Sequence, residues 1–365
     1  MTIKRIKLTN FKNFDSLDIK IKDKNLLKGQ NGSGKTTIRD AILFALYNQT
    51  ASGNKNTDHF IKKGEECCEV ELTTSKHIYH RKQSKNASQL NIDGTMTPQK
   101  SVSLPEFDIF NSVFNVGYFS RLPEKTQRQL ILNNTKHTSK TKMFIDSGGT
   151  VEDLQLLLKI LKSNEIQDVD KSIKIVNAKK LRITKEIDYY IHVIEFLESE
   201  KKLASNDTLN SIFNIRDIVQ QMYSHYIKPF TDLKNEKLLY KKKLEIIYKT
   251  LNNIPSYEMR MKSQQLLKRL KKEFKHIKLV LIEPLKSGLG RKDIFRFEIN
   301  KLPYQDLSNG EKLRFDLIIS QFFNSLLKEP IDIYFVDEAS ILDETPELPV
   351  QSFITQISPF NFTIE

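Results

Sequence analysis

Gly29-Gln30-Asn31-Gly32-Ser33-Gly34-Lys35-Thr36 holds glycine, glycine, lysine and threonine at the four fixed places of a phosphate-binding loop: Gly29, Gly34, Lys35 and Thr36. Glycines let the backbone curl, so that the amides of Gly29, Asn31, Gly32, Ser33 and Gly34 can point inward at an anion. Lys35 sets a point charge beside the outer phosphates, as both a binding and a catalytic group. The Thr36 hydroxyl is placed to ligate Mg²⁺, with Thr37 next to it. Asn25-Leu26-Leu27-Lys28 before the loop reads as a short strand. Ile38, Ala41, Ile42, Ala45 and Leu46 after it recur at helical spacing. Strand, glycine loop, helix is the setting such a loop needs, and the helix N-terminus adds its positive end. The alternative is a chance glycine turn; with only 12 glycines in 365 residues, three in one octet argue against it.

Composition narrows the class. The chain carries 58 Lys and Arg against 45 Asp and Glu, a formal charge of +13, which favours polyanions without choosing among them. The two cysteines, Cys67 and Cys68, are adjacent and poorly placed to bridge each other, and no Cys-x-x-Cys pair exists, so neither a disulfide framework nor a cysteine zinc site is expected. Met1 to Lys7 alternates apolar and charged residues, unlike a secretory leader, and no stretch reaches membrane-span length. These features predict a cytoplasmic protein with no membrane partner.

Along the chain, Ile3, Ile6 and Leu8, then Leu17, Ile19 and Ile21, predict two strands before the loop. Val70, Leu72, Ile78, Tyr79, Leu90 and Ile92 predict further strands, with a turn at Asp93-Gly94. A helix start is predicted at Leu122-Pro123-Glu124-Lys125. From Ile166 the apolar positions run Ile166, Val169, Ile173, Val176, Ile183, Ile187, Tyr190, Ile194 and Leu197, a heptad-like seam broken once by Lys180. Such a helix would be about 48 Å long. A second run, Leu233, Tyr240, Leu244, Ile247 and Leu251, is expected to break at Pro255 and resume through Leu267, Leu270, Phe274 and Ile277. Two long helices with a less regular tip fit an antiparallel coiled-coil hairpin, or equally a small packed bundle. Residues 228–283 hold 15 Lys and Arg against 6 Asp and Glu. That stripe is either a solvated face or a track for a phosphate backbone. Alternation returns at Phe295, Phe297 and Ile299.

Ile331-Asp332-Ile333-Tyr334-Phe335-Val336 reads as a strand buried on both faces of a parallel sheet, and it ends in Asp337-Glu338. Ligands gather at the carboxyl ends of such strands. Asp337 would hold Mg²⁺ and Glu338 would polarise an attacking water; the plainer reading is two turn carboxylates. Leu307-Ser308-Asn309-Gly310-Glu311-Lys312 opens another helix. Ser308, Gly310 and the helix N-terminus could form a second anion site, while Ser308 and Glu311 also make a capping box.

That hexapeptide resembles the LSGGE signature of ABC-type ATPases, and the two ends of the chain resemble the head of the SMC superfamily, especially its SbcC-type DNA-repair branch. The resemblance rests on Ile6 to Phe14, Gly29 to Thr37, Asp40 to Tyr47, Leu307 to Lys312 and Val336 to Asp343. It implies an α/β fold: one ABC-type P-loop ATPase head built from an N-terminal lobe (1–150) and a C-terminal lobe (285–365), split by a helical or coiled-coil insertion (151–284). It also implies two ATPs, each with Mg²⁺, sandwiched in a head-to-head homodimer, DNA bound across that dimer, and a separate nuclease subunit. In such a sandwich Ser308 and Gly310 would face the nucleotide of the other copy. Ser340-Ile341-Leu342-Asp343 resembles the D-loop, with Asp343 its acid, and Lys12 falls at a basic position near the nucleotide.

Three departures accompany the resemblance. Val116 stands where Phe114 to Phe119 should carry the Q-loop glutamine, with Asn115 a shorter-reaching neighbour. The last strand is expected at 360–365, with no switch histidine after it. The insertion is short and lacks the zinc-hook cysteines. The first two bear on hydrolysis and the third on tip-to-tip pairing. The expected function is ATP hydrolysis coupled to DNA repair, recombination or phage genome processing, in a host-cell cytoplasm if phage-encoded. The rivals are a non-hydrolysing ATP-gated DNA clamp or scaffold, and an ABC-type ATPase of a defence or transport system.

Overall fold

The computed structural model describes residues 1–85, 87–135, 138–206, 221, 223–284, 291–337, 351–358 and 362–365. They divide into two compact units, Met1–Thr135 with Lys262–Glu365, and Lys136–Met261. The first unit takes both ends of the sequence.

That unit opens with β1 (Ile3–Phe11), β2 (Phe14–Lys20) and β3 (Lys24–Gly29), then α1 (Lys35–Tyr47). Next come β4 (Cys67–Thr74), β5 (Ile78–Ser84), β6 (Ala87–Ile92) and β7 (Thr95–Met96), then α2 (Phe107–Phe114), α3 (Tyr118–Arg121) and α4 (Glu124–Asn134). Among the described residues β2-β1-β4-β5-β6-β7 form an antiparallel sheet. The Asp93-Gly94 turn joins β6 to β7 with φ of 51° and 83°. Helix α1 is buried along most of its length and packs on β4 and β5 of this sheet and on β3 of another. Its second half, Ala41 to Tyr47, is apolar on every side and belongs inside, and Phe11, Phe44 and Phe60 lock it there with ring centroids 5.0–5.6 Å apart.

The second unit is helical: α5 (Lys140–Asp146), α6 (Val151–Leu161), α7 (Val169–Asn206), and α8 (Lys228–Glu273), which continues past the boundary at Met261. Val176, Ile183 and Ile187 of α7 share a core with Leu244, Ile247, Leu251 and Ile254 of α8, and with Phe144 and Leu157 of the shorter helices. Glu186 pairs with Lys237 at 3.0 Å, and Tyr190 packs on Phe230, so α7 and α8 run antiparallel here. Lys180, the break in the heptad seam, lays its ammonium over the Tyr248 ring, 4.7 Å from its centroid. Residues 207–220, between the two runs, lie outside the described residues.

Pro255 does not end the second run: it sits inside a continuous α8. A proline in a helix interior costs about 3 kcal/mol. Leu251, Ile254 and Met259 are fully buried around it, and at about 1.5–3 kcal/mol each their burial outweighs that cost. Ile277 corrects a second expectation. The helix stops at Glu273, and Ile277 opens β8 (Ile277–Pro284), which pairs with β9 (Arg291–Ile299) and through it with β10 (Leu302–Pro303). Apolar spacing alone cannot separate the last helical turn from a strand start.

The chain then runs through α9 (Asn309–Asn324), β11 (Ile333–Val336), β12 (Gln351–Ile357) and β13 (Thr363–Ile364). The order β11-β12-β3-β13 makes a sheet in which β12 lies parallel to both β11 and β3. The last strand, expected at 360–365, is β13 at Thr363–Ile364: it is short and antiparallel to β3, while β12 flanks β3 on its other side and runs parallel to it. Gln-Ser-Phe-Ile-Thr-Gln-Ile has no apolar period, yet Gln351, Ser352 and Thr355 are all buried. Gln351 explains how. Its Oε1 accepts from the Ile3 amide at 2.7 Å, and its Nε2 donates to the carbonyls of Ile3 (2.8 Å) and Lys22 (3.0 Å). A buried amide with its partners met can stand in a core.

Candidate functional site

Helix α1 starts immediately after the glycine loop. Its N-cap is Gly34, at φ 109°, and no side chain caps it. The Thr37 amide donates to the Gly34 carbonyl at 3.0 Å, and no side chain competes for the amides of Lys35 and Thr36 at this helix start. Any Cβ at Gly34 would fall 2.6 Å from the Phe14 ring and 2.9 Å from Asn13 Nδ2, so close packing as well as backbone twist requires glycine. Lys35 is 8% exposed. Its Nζ donates to the carbonyls of Gly29 (2.7 Å) and Gln30 (2.8 Å), which holds the ammonium across the loop. Asn31 and Gly32 are exposed at the loop's crest and Ser33 is half-buried. Thr36 is half-buried, while Thr37 is buried and donates to Asn13 Oδ1 at 3.2 Å.

Asp337 follows β11. Val336 pairs with Ile354, which pairs with Leu26, so the acid and the loop share the carboxyl edge of one parallel sheet. Thr355 Oγ1 donates to Asp337 Oδ1 at 2.6 Å. Arg39 Nη1 lies 4.0 Å from Asp337 Oδ2, and its guanidinium sits over the Phe335 ring at 5.6 Å. Arg39 is three residues beyond Thr36 on α1, so the two are neighbours on one face of the helix. Arg39 also hydrogen-bonds Asp40, whose other oxygen is held by Lys12 Nζ. Lys12 stands in the β1–β2 turn at φ 52°, with its ammonium 4.9 Å from the Phe60 centroid. A chain of alternating charges thus runs Lys12, Asp40, Arg39, Asp337.

A hydroxyl and a carboxylate are hard oxygen donors. With nucleotide oxygens and water they suit Mg²⁺, which seldom takes more than one or two protein carboxylates beside a phosphate. Thr36 and Asp337 fit that set.

The segment with Val116 at the glutamine place abuts β11: the Val116 amide donates to the Phe335 carbonyl at 3.1 Å, and Asn115 bridges the same residue. Asn115 is 2% exposed, turned into the core.

Ser308 caps α9 in a capping box. Its Oγ accepts from the Glu311 amide at 3.3 Å and donates to Glu311 Oε2 at 2.7 Å. Hydrogen bonds from the Ser308 hydroxyl and amide hold the Glu311 carboxyl below its usual range. Ser308 is exposed and Gly310 half-buried in the first turn. Glu338 and Asp343 lie outside the described residues.

Sequence reasoning missed Arg39 and Thr355. The signal for Arg39 was its three-residue offset from Thr36. Thr355 gave none, because nothing in the sequence marks β12 as the strand between β3 and β11.

Residues 2–359 match the RecF/RecN/SMC N terminal domain, and the chain belongs to that family. It is 45% identical over 73 residues to the DNA double-strand break repair Rad50 ATPase of Thermoplasma volcanium, across 20% of this chain and 8% of that protein. It is 27% identical over 182 residues to the DNA replication and repair protein RecF of Clostridium acetobutylicum, covering 50% and 47% of the two chains. Exonuclease subunit 2 of Escherichia phage RB69 is 24% identical over 234 residues, covering 59% and 38%. The chain thus spans under half the length of each of these relatives. Among the described residues no helix is long and apolar enough to cross a membrane.

Proposed function

We propose that this chain is an SbcC-type ATPase head that binds MgATP in the Gly29–Gly34 loop, pairs with a second copy on ATP, and acts on DNA in repair, recombination or phage genome processing. The observation that carries it is Lys35, buried and held across an uncapped helix N-terminus, with Asp337 at the carboxyl edge of the same parallel sheet and facing Arg39 of that helix. Mg²⁺ would be held by Thr36 and Asp337, where it neutralises phosphate charge. The loop amides and Lys35 orient the triphosphate. Lys12 and Arg39, now paired with Asp40 and Asp337, are cations within the same charge chain. Glu338 polarises the attacking water. Ser308 and Gly310, with Asp343, meet the nucleotide of the second copy, and the exposed Ser308 supports that role. DNA contacts fall to the Lys- and Arg-rich 228–283 region, with cutting left to a separate nuclease subunit.

Lys35→Ala should abolish nucleotide binding, and unchanged affinity would overturn the site. Glu338→Gln should trap an ATP-bound dimer on a sizing column. DNA binding should weaken steeply with salt; binding that ignores salt would favour an ABC-type ATPase of a defence or transport system. One observation favours a non-hydrolysing clamp: Ser358, Pro359 and Phe360 follow β12 where a switch histidine would stand, and Val116 replaces the glutamine. Phosphate release with and without double- and single-stranded DNA separates clamp from enzyme.

A further inference from the structure

Asp316 lies mid-way along α9, two turns beyond Ser308, and is 6% exposed. No role in binding nucleotide or metal falls to it. Its Oδ1 accepts from Ser120 Oγ on α3, and its Oδ2 accepts from Tyr304 Oη at 2.7 Å, on the short 3-10 turn that leads into α9. Gly117, at φ 87°, presses against it: a Cβ there would stand 3.0 Å from Asp316 Oδ2. Gly117 adjoins Val116, whose amide is fixed to the end of β11. One carboxylate therefore joins the turn that touches the strand carrying Asp337 to the helix that carries Ser308.

We infer that Asp316 is a positioning residue, the tie that makes the 115–120 turn and the N-terminal half of α9 move as one body. This rests on the ATPase reading for its purpose but not for its existence. A carboxylate takes a hydrogen bond on each oxygen, so it can hold Ser120 and Tyr304 together. A protonated carboxyl becomes a donor on one oxygen, so one of those hydroxyls must rotate to accept from it, and both contacts fall from charge-assisted to neutral hydrogen bonds of about half the strength. Burial pushes the Asp316 carboxyl up to about 6, against the opposing pull of its two hydrogen bonds and of the nearby Arg121 and Lys312 charges. The titratable and charged groups facing it are Tyr304 before α9, Arg121 on α3 and Lys312 one turn back on α9 itself. The tie is thus made above about pH 6 and loosened below it, and Asp316→Asn reproduces the loosened form at all pH values.

The chain has no tryptophan, so Gln305→Trp puts a single reporter beside Tyr304. A cavity of about 390 Å³ lined by Phe119, Ser120, Arg121, Tyr304, Gln305 and Phe315 gives the indole room. In the full-length reporter protein, emission should titrate near pH 6, and with Asp316→Asn added it should stay at the acid value throughout. At pH 7.5, MgATP should shift emission in the parent. With Asp316→Asn that shift should fall at least fivefold, while affinity for a fluorescent ATP analogue stays within twofold. An Asp316→Asn protein that titrates and responds like its parent overturns the tie. A pH step that depends on Asp316 in a protein that binds no nucleotide upholds the tie and sinks the ATPase reading instead.

Discussion

Replacing Gln351 by Leu tests whether the two ends of the chain are welded into one core. The substitution keeps the side-chain volume and removes three hydrogen bonds, of 2.7, 2.8 and 3.0 Å, to backbone groups of Ile3 and Lys22. Ile3 is 1% exposed, so its amide would be left buried without the glutamine oxygen. An unsatisfied buried donor costs about 1–3 kcal/mol, and each lost bond to a carbonyl about 0.5–1 kcal/mol. The sum is about 3 kcal/mol, a large share of the 5–15 kcal/mol that holds a typical domain together. Urea unfolding followed by far-ultraviolet circular dichroism should show the midpoint fall with the slope unchanged. Gln89→Leu, on the exposed face of β6, should move stability by less than about 0.5 kcal/mol. A Gln351→Leu loss below about 1 kcal/mol would mean that β12 is not anchored to β1 through this amide, and the account of the composite core would fail.

Gly34→Ala should lower nucleotide affinity at least tenfold, because a Cβ drives into Phe14 and strains the helix cap; equilibrium titration with a fluorescent ATP analogue measures it. Asp316 should make stability pH-dependent. Its folded-state value of about 6 lies above the ordinary 3.8 of an aspartate, so the native state holds the extra proton between those limits and stability declines as pH rises through them, by up to about 3 kcal/mol. Asp316→Asn should therefore gain about 2 kcal/mol relative to the wild type between pH 4.5 and 7, read from parallel urea melts. Pro255→Ala should stabilise the helical unit by about 1–3 kcal/mol by restoring the helix hydrogen bond, and slower amide exchange in peptides around 251–259 would register it.

Much of the architecture was legible because period and burial coincide. Leu17 and Ile19 alternate because they pair with Leu8 and Ile6 across β1 and β2. Ile38 to Leu46 is apolar almost throughout because α1 is enclosed nearly all round. Reading failed where that link breaks. Pro255 looks like a stop, yet buried leucine, isoleucine and methionine hold the helix through it. Phe274 and Ile277 keep a helical spacing across a helix end. Strand β12 has almost no apolar signature, because its polar side chains meet their partners from distant segments.

The octet from Gly29 to Thr36 determined by itself the local turn between β3 and α1, with Gly34 as the helix cap and Lys35 folded back on the loop carbonyls, since its glycines and lysine act over a few bonds and need only a strand before and a helix after. Partners across hundreds of residues were decided by the fold. Arg39 reaches Asp337, Thr355 steadies the same acid, and Asp316 joins Ser120 to Tyr304, each through contacts that exist only once separate segments pack. Local backbone geometry is written in neighbouring residues. The pairing of charges and buried hydroxyls is set by which strands end side by side, and a one-dimensional pattern does not carry that information.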